Sequence, residues 1–196
     1  MIWYLEHVSS ASKKALHHCD TATVLGKNRE FPCPLVIPRE VQKNLRVVRV
    51  KYFSFDGEIH EGQIVVHKAI KNQVKNIFLD LLRCQFPIKS IVPVVAFRWS
   101  DALSMKANNT SAFNYRYIAR RKKLSRHAFG LAIDLNPFLN PCIENGRATP
   151  KGASYNPKVP GTITPDVVRI FKRRDFSWGG HWGTPKDYQH FEFLLR

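Results

Sequence analysis

Acidic residues are scarce in this 196-residue chain: 15 Asp and Glu stand against 31 Lys and Arg, giving a formal net charge of +16. Such an imbalance makes a polyanion the natural partner, whether nucleic acid, an anionic membrane surface or an acidic wall polymer. Long hydrophobic runs are missing too; none approaches the roughly 18 apolar residues of a membrane span. The amino-terminal stretch MIWYLEHVSSASKK has no basic start followed by a long apolar core, so it does not read as a secretory signal. The four cysteines, Cys19, Cys33, Cys84 and Cys142, form no C-x-x-C pair. Zinc-finger spacing is thereby excluded, leaving buried free thiols, or disulfides in an oxidising compartment. Helix-turn-helix and RNP signatures are absent, so no recognisable nucleic-acid module accompanies the charge. Internal repeats and low-complexity tracts are absent as well.

What remains is a globular composition, with 44% apolar and 12% aromatic residues and a length suited to one domain. Residues 1–34 read as an amino-terminal arm without clear periodicity, and residues 35–196 as the folded domain. LRVVRVKYFSF (45–55) and EIHEGQIVVH (58–67) flank Asp56-Gly57 and predict a β-hairpin. Ile70, Val74, Ile77, Phe78, Leu81 and Leu82 recur at helical spacing over 67–84. IVPVVAFRW (91–99), FNYRYI (113–118), GLAIDL (130–135) and HFEFLL (190–195) read as strands. DALSMKANNTSAF (101–113) and residues 136–165 read as loops. TPDVVRIFKRR (164–174) reads as a helix with Thr164 at the N-cap and Pro165 at the first helical position. This mixed order predicts an α+β fold, a single domain with a mainly antiparallel sheet flanked by helices. RYIARRKKLSR (116–126) is dominated by Lys and Arg; it reads either as a solvated loop or as an anion-facing rim.

Two clusters could carry chemistry. His127 and Asp134 lie seven positions apart, a span above roughly 20 Å when extended. For both to reach one metal the chain must fold back, and Gly130 permits such a bend. Spacing alone leaves open whether they are ligands or a loop histidine and a strand-end acid. Further on, His190 and Glu192 share one face of the last strand, opposite Phe191 and Phe193, with Asp187 three positions upstream. A third ligand with a carboxylate nearby is what a hydrolytic zinc site requires. Glu192 reads as a partner of His190 or an exposed strand residue. His181 reads as a surface histidine.

The pattern S-x-H-x-x-G-x-A-x-D, at Ser125, His127, Gly130, Ala132 and Asp134, is followed by D-x-x-H-F from Asp187 to Phe191. It closely resembles the zinc D,D-carboxypeptidase and L-alanyl-D-glutamate endopeptidase family, peptidoglycan peptidases that share a fold with Hedgehog signalling domains. ANNTSAFNYR (107–116) is similar to one branch of that family, and the resemblance spans residues 35–196. It implies a Hedgehog/D,D-peptidase-like fold and one Zn²⁺ bound by His127, Asp134 and His190. It further implies Asp187 as general base and acid, and Ser125 lining the substrate site. The family also uses an upstream arginine on the substrate, for which Arg116 in FNYR is favoured over Arg98 in AFR. Trp182 and Tyr188 read as substrate-cleft residues. The implied activity is amide hydrolysis in peptidoglycan stem peptides, as an L-Ala-D-Glu endopeptidase or a D-Ala-D-Ala carboxypeptidase. The implied setting is a monomer at the cell envelope or outside the cell, with the anionic wall surface as a further partner and no specific nucleic acid. Two rivals belong to other classes: a non-catalytic zinc-containing binding domain, and a basic nucleic-acid-binding protein. Asp187 argues against the first, because a pure binder needs no base.

Overall fold

The computed structural model describes residues 32–119 and 121–195. The arm expected over residues 1–34 therefore lies largely outside the described residues. A short helix, α1 (Arg39–Asn44), leads into β1 (Leu45–Phe53) and β2 (Ile59–His67), which pair antiparallel along their whole length. In β1, exposed Arg46, Arg49 and Lys51 are interspersed with buried Val48, Val50 and Tyr52. β2 is buried on both faces from Gly62 onwards. Ile64 and Val66 face one apolar cluster, Val65 another, so the hairpin sits between two cores.

A 3₁₀ turn then leads into α2 (Lys71–Arg83), which buries Val74, Ile77, Phe78 and Leu81 against the main core, as its periodicity predicted. β3 (Ser90–Ile91) and β4 (Asn109–Thr110) form a short parallel pair, with α3 (Asp101–Lys106) between them. β5 (Ala132–Asp134), β6 (Cys142–Glu144), β7 (Arg147–Thr149), α4 (Pro165–Lys172), β8 (Phe176–Trp178), β9 (Lys186–Asp187) and β10 (His190–Phe193) follow. Among the described residues the strands form four small sheets: β1-β2, β3-β4, β5-β10-β8 and β7-β6-β9. All except β3-β4 are antiparallel. The chain is thus α+β, but its strands are divided among several sheets rather than gathered in one.

Four local expectations are corrected. Residues 91–99 are not a strand: after Ile91 the chain enters a 3₁₀ turn over Val94–Phe97, with Arg98 and Trp99 at φ of 53° and 62°. An apolar run without a period does not distinguish strand from buried turn. Residues 101–106 form a helix rather than a loop, because the Ser100 hydroxyl accepts from the Leu103 amide at the N-cap. Residues 113–118 contribute only an isolated bridge, Tyr117 to Leu124. The expected loop 136–165 contains the β6-β7 hairpin, turning at Asn145-Gly146 with φ of 50° and 72°, a hairpin signature visible in the sequence. Thr164 does occupy the N-cap of α4, with Pro165 next, but its side chain makes no capping hydrogen bond.

α4 matters to the site because Phe171 stacks on Phe191 with ring centroids 3.7 Å apart. Phe191 lies on the face of β10 opposite His190, so packing behind the strand holds the histidine in front of it. Cys19 lies outside the described residues; of the described cysteines, Cys33 and Cys142 are half-buried and free, whereas Cys84 is free but exposed rather than buried. No helix among the described residues is long and apolar enough to cross a membrane.

Candidate metal centre

Backbone register does most of the assembly. β10 pairs with β5 so that His190 lies directly opposite Asp134. His127 arrives from a 3₁₀ turn over Arg126–Phe129, capped by the Ser125 hydroxyl, which accepts from the His127 amide. The turn ends at Gly130, whose φ is 65°. A Cβ there would stand 2.7 Å from the His67 amide nitrogen, so the reversal predicted at Gly130 requires glycine on both counts.

These elements bring the three predicted ligands together. His127 Nε2 lies 3.2 Å from Asp134 Oδ2, and His190 Nδ1 lies 3.2 Å from Asp134 Oδ1. The two ring nitrogens are 3.1 Å apart. All three residues are buried, with 3%, 5% and 7% exposure for His127, Asp134 and His190.

The outer partners of the rings decide what this cluster can hold. His127 Nδ1 faces the Ala112 carbonyl at 2.5 Å, and a carbonyl only accepts, so that nitrogen carries the proton. His190 Nε2 faces the Glu192 carboxylate at 3.2 Å, which places the proton on Nε2 by the same logic. In neutral rings, the lone pairs of His127 Nε2 and His190 Nδ1 then point inward at one carboxylate. Three inward-facing acceptors with no donor of their own form a donor set suited to a cation. Two imidazoles and a carboxylate, with the imidazoles anchored from behind, fit Zn²⁺. Glu192 is thus the outer partner of His190 rather than an exposed strand residue.

Without a metal, the same acceptors attract a proton. Burial works against charge on His190, yet the carboxylates of Asp134 and Glu192 outweigh it and push the imidazole up to about 10. Burial also opposes ionisation of Asp134, but His127 and His190 hold its carboxyl far below the ordinary carboxylate range. The hydrogen bond to His190, opposed by burial, likewise lowers Glu192. The pocket therefore favours positive charge at its centre.

Asp187 stands apart from this triangle, on β9. Burial, opposed by His190 and reinforced by Asp134, pushes its carboxyl up to about 6. Its Oδ1 is buried without a hydrogen-bond partner among the described residues. Directly across the β6-β9 pair sits Cys142, whose thiol is pushed up to about 12 by burial and by Asp187.

Other predicted site residues take varied positions. Ser125 is buried beneath His127 as its cap. The Trp182 ring lies over His190, with centroids 5.3 Å apart. Tyr188 stacks on Tyr155 at 3.8 Å, which draws the long 136–163 segment against the site. Arg116 pairs with Asp101 at 2.8 Å, while its Nε is buried without a hydrogen-bond partner among the described residues. Arg98 is exposed, in the left-handed conformation that ends the 94–97 turn. His181 is exposed, its ring edge-on to Trp178.

Residues 119–193 match the D-alanyl-D-alanine carboxypeptidase family. The match covers 75 of the 196 residues, so it likens this segment to that family. No curated protein shows significant similarity to the chain. The matched segment begins within the basic stretch 116–126, ends on β10, and contains His127, Asp134, Asp187 and His190.

Sequence reasoning missed Gly179, which lies within the matched segment. A Cβ there would stand 2.6 Å from the Asp187 carbonyl oxygen, 3.0 Å from Asp187 Cβ and 3.3 Å from His190 Cβ. The Gly179-Gly180 pair was the available signal. Gly179→Ala is expected to shift both side chains, lowering turnover by up to about 100-fold and weakening metal binding. The control is Gly183→Ala, where a Cβ meets nothing within 4 Å. If Gly179→Ala matched that control in both kcat and metal affinity, the close approach would have no functional weight.

Proposed function

We propose that the chain is a zinc-dependent peptidase that hydrolyses an amide bond in D-amino-acid-containing stem peptides of peptidoglycan, on a fold of the Hedgehog/D,D-peptidase type. The observation that carries this reading is the pairing of two features. Three buried lone-pair donors converge at His127, Asp134 and His190, and Asp187, a carboxylate that interacts electrostatically with all three, has a buried oxygen without a partner among the described residues. A binding site without catalysis would need the first feature only. The family match over residues 119–193 supports the substrate class.

Zinc held by these three residues would supply Lewis acidity toward a carbonyl oxygen and toward water. In this reading, Asp187 takes the proton of the attacking water at its carboxylate and later gives it to the departing amine. Its raised proton affinity suits both halves of that exchange. Arg116, favoured over Arg98, meets the substrate carbonyl or carboxylate and helps to balance developing negative charge, a contribution often worth about 3–4 kcal/mol per donor. Trp182 and Tyr188 wall the cleft on the side of His190, and Ser125 supports it through the His127 turn. The envelope or extracellular setting follows from the substrate.

The experiment is mass spectrometry of purified stem peptides incubated with the protein, with and without a chelator. Chelator-sensitive release of a fragment beginning at D-Glu identifies the endopeptidase; loss of a single D-Ala identifies the carboxypeptidase. Unchanged peptides with zinc bound would overturn the catalytic reading.

A further inference from the structure

Arg121, Lys122 and Lys123 of the basic segment have no part in the chemistry proposed above. Between Asp101 and Asp134 the sequence holds seven Lys and Arg and no Asp or Glu. Three of these cations, Arg121, Lys122 and Lys123, are carried on a tight hairpin. Tyr117 bridges Leu124, the Ile118 amide donates to the Lys123 carbonyl, and the Arg121 amide donates to the Ile118 carbonyl. The cations do not all face the same way. Arg116 is engaged by Asp101, and Arg126 donates to the Phe193 carbonyl. Arg121, Lys122 and Lys123 are exposed, and among the described residues none has an ion-pair partner. Together with half-exposed Tyr117, Arg121 and Lys122 line a groove of about 610 Å³.

The hairpin is fastened to the metal centre. The Ser125 amide donates to the Arg116 carbonyl at its base, and the Ser125 hydroxyl accepts from the His127 amide. Lys123 is four residues from His127, so their Cα atoms lie within about 14 Å.

We propose that exposed Arg121, Lys122 and Lys123 form a docking site for the anionic polymer chains attached to the wall that carries the cleaved peptide. It is separate from the cleavage site and governs capture rather than chemistry. This inference rests on the peptidase reading. Three unpaired cations on a short turn match the repeating carboxylates or phosphodiesters of such chains, and binding there releases counterions. Adjacency to His127 favours this occupant: a polymer held by the hairpin presents its attached peptides to the cleft, whereas nucleic acid would gain nothing from that placement.

The test compares the full-length protein with the variant R121Q/K122Q/K123Q, none of whose positions belongs to the proposed catalytic machinery. Three readouts are co-sedimentation with sacculi bearing anionic polymer, kcat/KM on those sacculi, and kcat/KM on soluble stem peptide. Wild-type co-sedimentation should fall steeply between about 50 and about 200 mM salt. The variant should bind and cleave sacculi about tenfold less well, with a flatter salt dependence. Its activity on soluble peptide and its zinc content should be unchanged. Sacculi stripped of their anionic chains should no longer distinguish the two proteins.

Equal sedimentation of variant and wild type, equal loss on peptide and sacculi, or undiminished wild-type binding to stripped sacculi would each overturn the proposal. Preferential release of the wild type from sacculi by duplex DNA at matched phosphate would also overturn it, in favour of nucleic acid. If neither protein cleaves soluble peptide, the peptidase reading fails, and co-sedimentation still decides the docking.

Discussion

His127→Ala is expected to remove bound zinc and peptidase activity together. His127 supplies one of three convergent donors, and its ring is anchored from behind by the Ala112 carbonyl. Disrupting an outer partner of a metal ligand typically costs 10–100-fold in affinity. Deleting the ligand itself should cost more, at least about 100-fold, so zinc content after dialysis should fall close to zero. The change also takes away a neighbour that helps to keep the buried Asp134 carboxylate ionised. His127→Gln, which preserves bulk and polarity, separates loss of metal from loss of fold. Circular dichroism and metal content measured on both variants make the check. A folded variant that retained stoichiometric zinc would remove His127 from the ligand set.

Asp187→Ala is expected to do the opposite: keep zinc and lose turnover by about 10²–10⁴-fold. Asp187 is held on β9 by backbone pairing with β6, outside the His127–Asp134–His190 triangle, so truncating its side chain leaves the metal donors in place. Burial raises the carboxyl and a bound cation would lower it again, so wild-type kcat/KM should rise with pH along an acid limb at or below about 6, because the base works deprotonated. The residual activity of Asp187→Ala should lack that limb. Stability offers an independent sign. A carboxyl raised from 3.8 to about 6 on folding favours the folded state in its protonated form. The metal-free protein therefore loses stability as pH rises from about 4 to about 6. Asp187→Ala should abolish that loss and melt no lower than wild type at pH 7. Full activity in the variant would end the role assigned to this residue. Destabilisation at pH 7 would show that the carboxylate is structural.

How much was legible differs by element. The β1-β2 hairpin and α2 announced themselves, because alternation and helical periodicity record which face is buried. Residues 91–99 did not, because Val94 and Val95 are buried by tertiary packing around a 3₁₀ turn, and burial erases the period. The helix over 101–106 and the hairpin at Asn145-Gly146 had readable local signals, a Ser N-cap and an N-G turn, outweighed by the polarity of their surroundings.

The sequence by itself determined which residues carry donor chemistry. Histidine, aspartate and their spacing from Gly130 are local facts, as are the excess of positive charge and its concentration near residue 120. Tertiary structure alone decided how they meet. The separation of 56 residues between Asp134 and His190 is closed by a strand register, which no short-range pattern encodes. The inward lone pairs depend on Ala112 and Glu192 behind the rings, and the raised affinity of Asp187 for its proton depends on burial. Tautomer and proton affinity are properties of an environment, and an environment exists only once distant segments have packed.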